Sequence, residues 1–184
     1  MRSFRAPAFS IGKDNDWAFE VLVENGIEYD CSVFPASRDF GGFPQFTSSV
    51  PSLVRKGDYT LKELPICPAR LMGKVVPFSG GGYFRLVPLW LQRQLLNRMD
   101  YVMFYFHIND LIEQSSMFMT KQEFEKYFKE PGTLKNRVTR YMKTNIGKGG
   151  ALNKLDVLLE NYLFCNVEQA AELIDWNKQP LIEL

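Results

Sequence analysis

The chain of 184 residues contains one histidine, His107, so no site built from it alone can use two histidine ligands. Its three cysteines, Cys31, Cys67 and Cys165, are odd in number and form no C-x-x-C pair. That argues against a disulfide framework and a cysteine-rich zinc site, and it fits a reducing compartment. An excess of one charge is also missing: 22 Lys and Arg face 21 Asp and Glu, whereas a non-specific nucleic-acid binder needs a basic surplus. No apolar run approaches the roughly 18 residues of a membrane span, and Met1 to Pro7 lacks the apolar stretch of a secretory leader. The expectation is a cytoplasmic protein with no nucleic-acid partner and no membrane span. A G-x-S-x-G nucleophile elbow is absent too, which removes the setting of a serine triad.

What is present is an ordinary globular composition, 46% apolar and 23% charged, in a length that suits a single domain over residues 1–184 with a real core. Asp14 to Asn25 reads as a helix with Trp17, Ala18, Val21 and Leu22 on one face, Asp14 as cap and Gly26 as stop. With Phe4 to Ser10 extended before it and a strand from Ile27 to Phe34 after it, the pattern is strand-helix-strand. Residues 35–60, rich in Gly, Pro, Ser and Phe, read as a loop-rich insertion. Short strands follow at Leu61 to Cys67 and Lys74 to Phe78, then a helix from Pro88 to Met99. Tyr101 to Phe106 is nearly all apolar, as in a strand covered on both faces. Residues 120–184 read as a helical tail. Thr120 with Glu123 marks a capping box, Leu134 to Thr144 and Leu152 to Tyr162 are helices, and Tyr162 to Asn166 is a short last strand. The alternation points to α/β.

His107 falls just past the carboxyl end of the Tyr101 to Phe106 strand, where α/β folds place reactive groups, and its near-neutral pKa suits proton transfer; the other reading is a structural histidine. Arg5, before the rigid Ala6-Pro7 bond, can be held in one pose to grip a carboxylate, or is a surface residue before a turn. Asp30, at a strand end, can accept the Nδ1 proton of His107 or merely cap the next turn. Gly80-Gly81-Gly82 can cradle an anion, allow a close approach or simply make a tight turn. Gly147-Lys148-Gly149-Gly150 lacks Walker spacing and reads as the lead-in to a helix.

In this order the segments "FRAPAFSI", "WAFEVLVENGIEYDCSVFP", "ELPICP", "PFSGGGYFRLVP" and "VMFYFH" resemble the carboxyl-terminal portion of a metal-dependent polysaccharide deacetylase, carbohydrate esterase family four. They are most similar to the branch associated with exosortase and exopolysaccharide gene clusters, and "LNKLDVLLENYLF" resembles the end of that branch. The resemblance implies a distorted (β/α) barrel, here partial and lacking its first strands, so that the remaining sheet exposes an edge. It implies an acetylated polysaccharide as substrate and Zn²⁺ or another divalent metal in the complete fold. His107 then matches the acid that protonates the leaving amine, Asp30 the aspartate that tunes it, and Arg5 the arginine that orients a base aspartate. Pro7, Phe9, Tyr105 and Tyr83 belong to the substrate groove.

The base aspartate and the Asp-His-His metal set of that family have no counterpart in this sequence, so metal ligands and cofactors are expected to be none in this chain. Hydrolysis by the chain alone is not expected. One reading is a fragment completed by an amino-terminal half-barrel chain. Another is a non-catalytic remnant that binds glycan or protein, or pairs as a homodimer. A third is shared ancestry with an unrelated, metal-free role.

Overall fold

A strand-helix-strand unit opens the chain in the computed structural model, which describes residues 1–37, 41–71, 74–112 and 117–184. β1 (Ser3–Phe4) and β2 (Tyr29–Asp30) run parallel, with Phe4 opposite Asp30, and α1 (Ala18–Glu24) lies between them in sequence. Each element is shorter than its pattern predicts. Pro7–Phe9 forms a 3-10 turn that ends the first strand, and a second turn at Lys13–Asn15 delays the helix. Asn15 Oδ1 accepts from Gly12 N at 2.7 Å there, and α1 has no side-chain cap from Asp14. Ala18, Phe19, Leu22 and Val23 pack into the core, whereas Trp17 and Val21 are exposed. Burying a side chain such as Phe19 or Leu22 contributes about 1.5–3 kcal/mol, so this face fixes the helix. Gly26 stops it at φ +74°.

The stretch 35–60 is not one loop, and its residues 38–40 lie outside the described residues. β3 (Ser52–Lys56) and β4 (Tyr59–Glu63) form a hairpin around the two-residue turn Gly57-Asp58, with Gly57 at φ +56°. β4 also pairs in parallel with β2, and β3 with β7 (Leu181–Glu183). The sheet order is β1-β2-β4-β3-β7, and three of its four pairings are parallel. Val54 and Leu61 point to the face covered by α1, beside Ile11, Phe43 and Phe46. Tyr29, Cys31 and Leu64 point the other way, against Val167, Ala170 and Ala171 of α8 (Val167–Leu173). The fold is therefore mixed α/β with a helix on each face of the sheet. Among the described residues β1 and β7 are its edges, and the sheet is open rather than closed as a barrel. β5 (Ala69–Leu71) and β6 (Lys74–Val76) form a separate antiparallel pair.

These strands belong to the first of two compact units, Met1–Ser79 with Gln94–Phe104 and Leu163–Leu184; the second is Gly80–Arg93 with Tyr105–Tyr162. Within the second are α2 (Gly81–Leu86), α4 (Ile108–Leu111), α5 (Lys121–Phe128), α6 (Leu134–Asn145) and α7 (Ala151–Asn161), while α3 (Leu89–Leu96) spans the boundary in sequence. The capping box of α5 is made as expected: Glu123 Oε2 accepts from Thr120 N at 2.8 Å, and Thr120 Oγ1 accepts from Glu123 N at 3.3 Å. Basic side chains close other helix ends. Lys154 donates to the carbonyls of Phe84, Arg85 and Val87 at 2.8–3.0 Å, and Arg85 donates to those of Lys143 and Thr144 at 2.9 and 2.6 Å.

Tyr101 to Phe106 does not form the expected strand. Its residues are half-buried, and its one ladder contact among the described residues is an isolated parallel bridge between Tyr105 and Gly80. In the first unit Met103 N donates to Cys67 Sγ, and the Phe104 ring packs on Phe78 and Phe164. Among the described residues the apolar run contributes mainly ring packing. Residues 162–166 are likewise irregular, and Asn166 caps α8. No helix among the described residues is long and apolar enough to cross a membrane.

Candidate functional site

Asp30 ends β2 and Glu63 ends β4. They are register partners on adjacent parallel strands, so both side chains leave the sheet on one face. Both are fully buried. Asp30 accepts from Ser32 N at 3.2 Å and Ser32 Oγ at 2.7 Å, and Ser32 Oγ in turn accepts from Ala6 N at 2.8 Å. Glu63 Oε1 accepts from Val33 N at 3.1 Å, whereas Oε2 has no donor. Burial pushes both carboxyl pKa values up, and the Asp30 charge drives that of Glu63 well above the carboxylate range. Burial and the neighbouring Asp30 charge therefore favour the protonated form of Glu63, and side-chain hydrogen bonding between the two carboxyls raises Glu63 while it lowers Asp30.

The thiols nearby are buried. Burial first, then the charges of Glu63 and Asp30, pushes Cys31 far above the ordinary thiol range, and burial pushes Cys67 up to about 11. Burial thus favours the neutral thiol form of both. All three cysteines are free.

The segment carrying Arg5 is tied to this pair through Ala6 N and then turns sharply. Ala8 and Phe9 both lie in the left-handed region, at φ +56° and +55°, a conformation that costs a side-chain-bearing residue about 1–2 kcal/mol. The turn is held in three ways. Phe9 is buried against Phe34 with ring centroids 5.8 Å apart, and its carbonyl accepts from Gly42 N at 2.8 Å. A Cβ at Gly41 would stand 2.3 Å from the Ala8 carbonyl oxygen, so only glycine fits beneath. The Arg5 guanidinium lies 5.7 Å from the Phe9 ring centroid, and both Arg5 and Pro7 are exposed.

The second unit holds His107, Tyr105 and Tyr83. His107 is the exposed residue preceding α4; its N donates to Asp110 Oδ2 at 3.0 Å, and its carbonyl accepts from Asp110 N at 2.8 Å. The imidazole makes no hydrogen bond among the described residues. Tyr105 explains the glycine run: a Cβ on Gly80 would stand 2.2 Å from its ring, and its carbonyl accepts from Gly81 N at 3.2 Å. The run accommodates the chain's own tyrosine at the start of α2, on which Tyr83 is half exposed.

The structure thus joins the Arg5 segment to Asp30 and adds Glu63, a residue that sequence reasoning missed. Its signal was available: Leu61 and Glu63 alternate onto one face of a strand, which places an acid at an inward position. Among the described residues no group of three or more His, Cys, Asp or Glu is placed to hold a metal. The described residues alone therefore offer no such cluster for the divalent metal that the resemblance implies.

Fold and site together define a mixed α/β protein with a buried carboxyl pair at the carboxyl ends of parallel strands. A family model described as Domain of unknown function (DUF3473) matches residues 31–172, and the chain belongs to that family. The match includes Glu63, Tyr83, Tyr105 and His107 and begins one residue after Asp30. No curated protein and no solved structure matches the chain.

Proposed function

We propose that this chain is the carboxyl-terminal part of a polysaccharide deacetylase-type barrel of the exopolysaccharide-associated branch, working in the cytoplasm on an acetylated glycan. It supplies the proton donor and groove for hydrolysis of N-acetyl groups, and the divalent metal belongs to residues outside it. The supporting observation is the hydrogen-bonded chain from Ala6 N through Ser32 Oγ to Asp30, the buried register partner of Glu63. It ties two of the segments that carry the resemblance to each other at strand carboxyl ends, the usual position of reactive groups in open α/β sheets.

In this reading His107, exposed and with no hydrogen bond to its imidazole among the described residues, protonates the leaving amine. Arg5 orients the base of the complete site, and Asp30 anchors the Arg5 segment through Ser32. Pro7 and Phe9 in the first unit, and Tyr83 and Tyr105 in the second, are the positions that the resemblance assigns to substrate contact. The chain alone has no activated nucleophile, and an acid worth roughly 10²–10⁴-fold does not replace one. Acetate release from N-acetylglucosamine oligomers tests this. The chain alone is expected to release none, and mixing it with a metal-bearing amino half is expected to restore turnover. In that mixture His107→Ala should lower the rate by about 10²–10⁴-fold; full activity would refute the acid assignment.

A second reading, a non-catalytic module that binds glycan or protein, is favoured by Trp17, Trp90 and Tyr127, which are 58%, 66% and 72% exposed. It predicts glycan binding by the chain alone that survives His107→Ala.

A further inference from the structure

Helix α6 is inside out. It packs on its own unit through arginines: Arg137 lies 4.6 Å from the Phe118 ring centroid and donates to the Met119 carbonyl at 2.9 Å. Arg140 lies 4.5 Å from the Phe128 ring centroid and pairs with Glu130 at 3.0 Å. The aliphatic residues fall on another face. Leu134, Val138 and Met142 follow i, i+4, i+8 spacing, Ile146 continues the stripe just past the helix end, and these four are 42–66% exposed, while Tyr141 turns its ring edge-on to Phe118 at 5.6 Å. No residue of α6 is buried. A helix of a globular domain ordinarily turns such a stripe inward, and an outward one marks an interaction face.

The charge around the stripe says what it meets. Residues 131–155 contain six Lys and Arg and no Asp or Glu; Arg137, Arg140, Lys148 and Lys154 are taken up within the unit, Arg140 against Glu130, which leaves Lys135 and Lys143 outward. Lys135 and Lys143 border the stripe, and their ammonium groups make no contact among the described residues. We propose that this face of α6 docks on an anionic phospholipid bilayer, lying flat at the headgroup level. The aliphatic stripe enters the acyl boundary while the lysines reach the phosphates. A polysaccharide offers no apolar phase for Leu134, Val138 and Met142. A second copy of the same face would set like charges against each other, and a bilayer accepts a lone ridge without a matching groove. This inference stands apart from the deacetylase reading.

Co-sedimentation of the chain with phosphatidylcholine vesicles, with and without phosphatidylserine, tests it. Binding is expected only with the anionic lipid and should weaken as salt rises. The double variant Lys135→Glu/Lys143→Glu should weaken it by roughly 30-fold or more. Val138→Glu/Met142→Glu should abolish it, and an unchanged circular-dichroism spectrum shows that these exposed substitutions leave the fold intact. Absence of vesicle binding, equal binding to neutral vesicles, binding that survives Val138→Glu/Met142→Glu, or an α6-dependent complex with an acidic protein in place of lipid would each overturn the proposal.

Discussion

Glu63→Gln should make the protein more stable relative to the native sequence as pH rises. Glu63 is fully buried and its carboxyl pKa lies well above the ordinary value of 4.5, chiefly through burial and then through the Asp30 charge. Below pH 4.5 the group is protonated in both folded and unfolded chains, and its contribution is constant. Between 4.5 and its folded value, the native state holds a proton that the unfolded chain has released. Stability therefore falls there by about 1.4 kcal/mol per pH unit. Glutamine has the same length, stays neutral, donates through its amide to Asp30 and keeps its oxygen for Val33 N. The difference in unfolding free energy between variant and native chain should grow with that slope and then level off at the folded pKa of Glu63. Urea unfolding at intervals from about pH 4 to about pH 8 reads the difference directly, because titrations common to both chains cancel. Parallel stability curves would show that Glu63 is ionised in the fold, and the account of Glu63 as a protonated acid would fail.

Ser32→Ala leaves Ala6 N and an Asp30 oxygen without a buried partner and should cost about 2–3 kcal/mol in urea unfolding. Lys154→Met removes one ammonium from three carbonyls around the end of α2 and should cost about 1–2 kcal/mol, read as a lower thermal midpoint. Gly80→Ala places a methyl 2.2 Å from the Tyr105 ring and should cost about 1–3 kcal/mol; an unchanged midpoint would contradict the close packing of that segment.

Features decided by local chemistry were legible in the sequence. Thr120 and Glu123 cap α5, Gly26 stops α1, and Gly147 to Gly150 leads into α7, because each depends on residues a few positions apart. The hairpin of β3 and β4 was hidden in a stretch dominated by Gly, Pro, Ser and Phe, and its pairing with β2 and β7 is set by distant segments. Tyr101 to Phe106 has the composition of a buried strand, yet its rings pack on Phe78, Phe84 and Phe164, and among the described residues its one ladder contact is the isolated bridge of Tyr105 to Gly80. Asp30 was recognisable as an acid at a strand end. That Glu63 is its partner follows only from the register of β2 on β4, which no spacing within either segment reveals.

In the proposed division of labour this chain provides the proton donor and the groove, and the metal is held by other residues. Calorimetric titration of the purified chain with zinc tests that division most directly. It predicts no stoichiometric site tighter than micromolar. A one-to-one site of that affinity, lost on His107→Ala or Asp30→Asn, would contradict it.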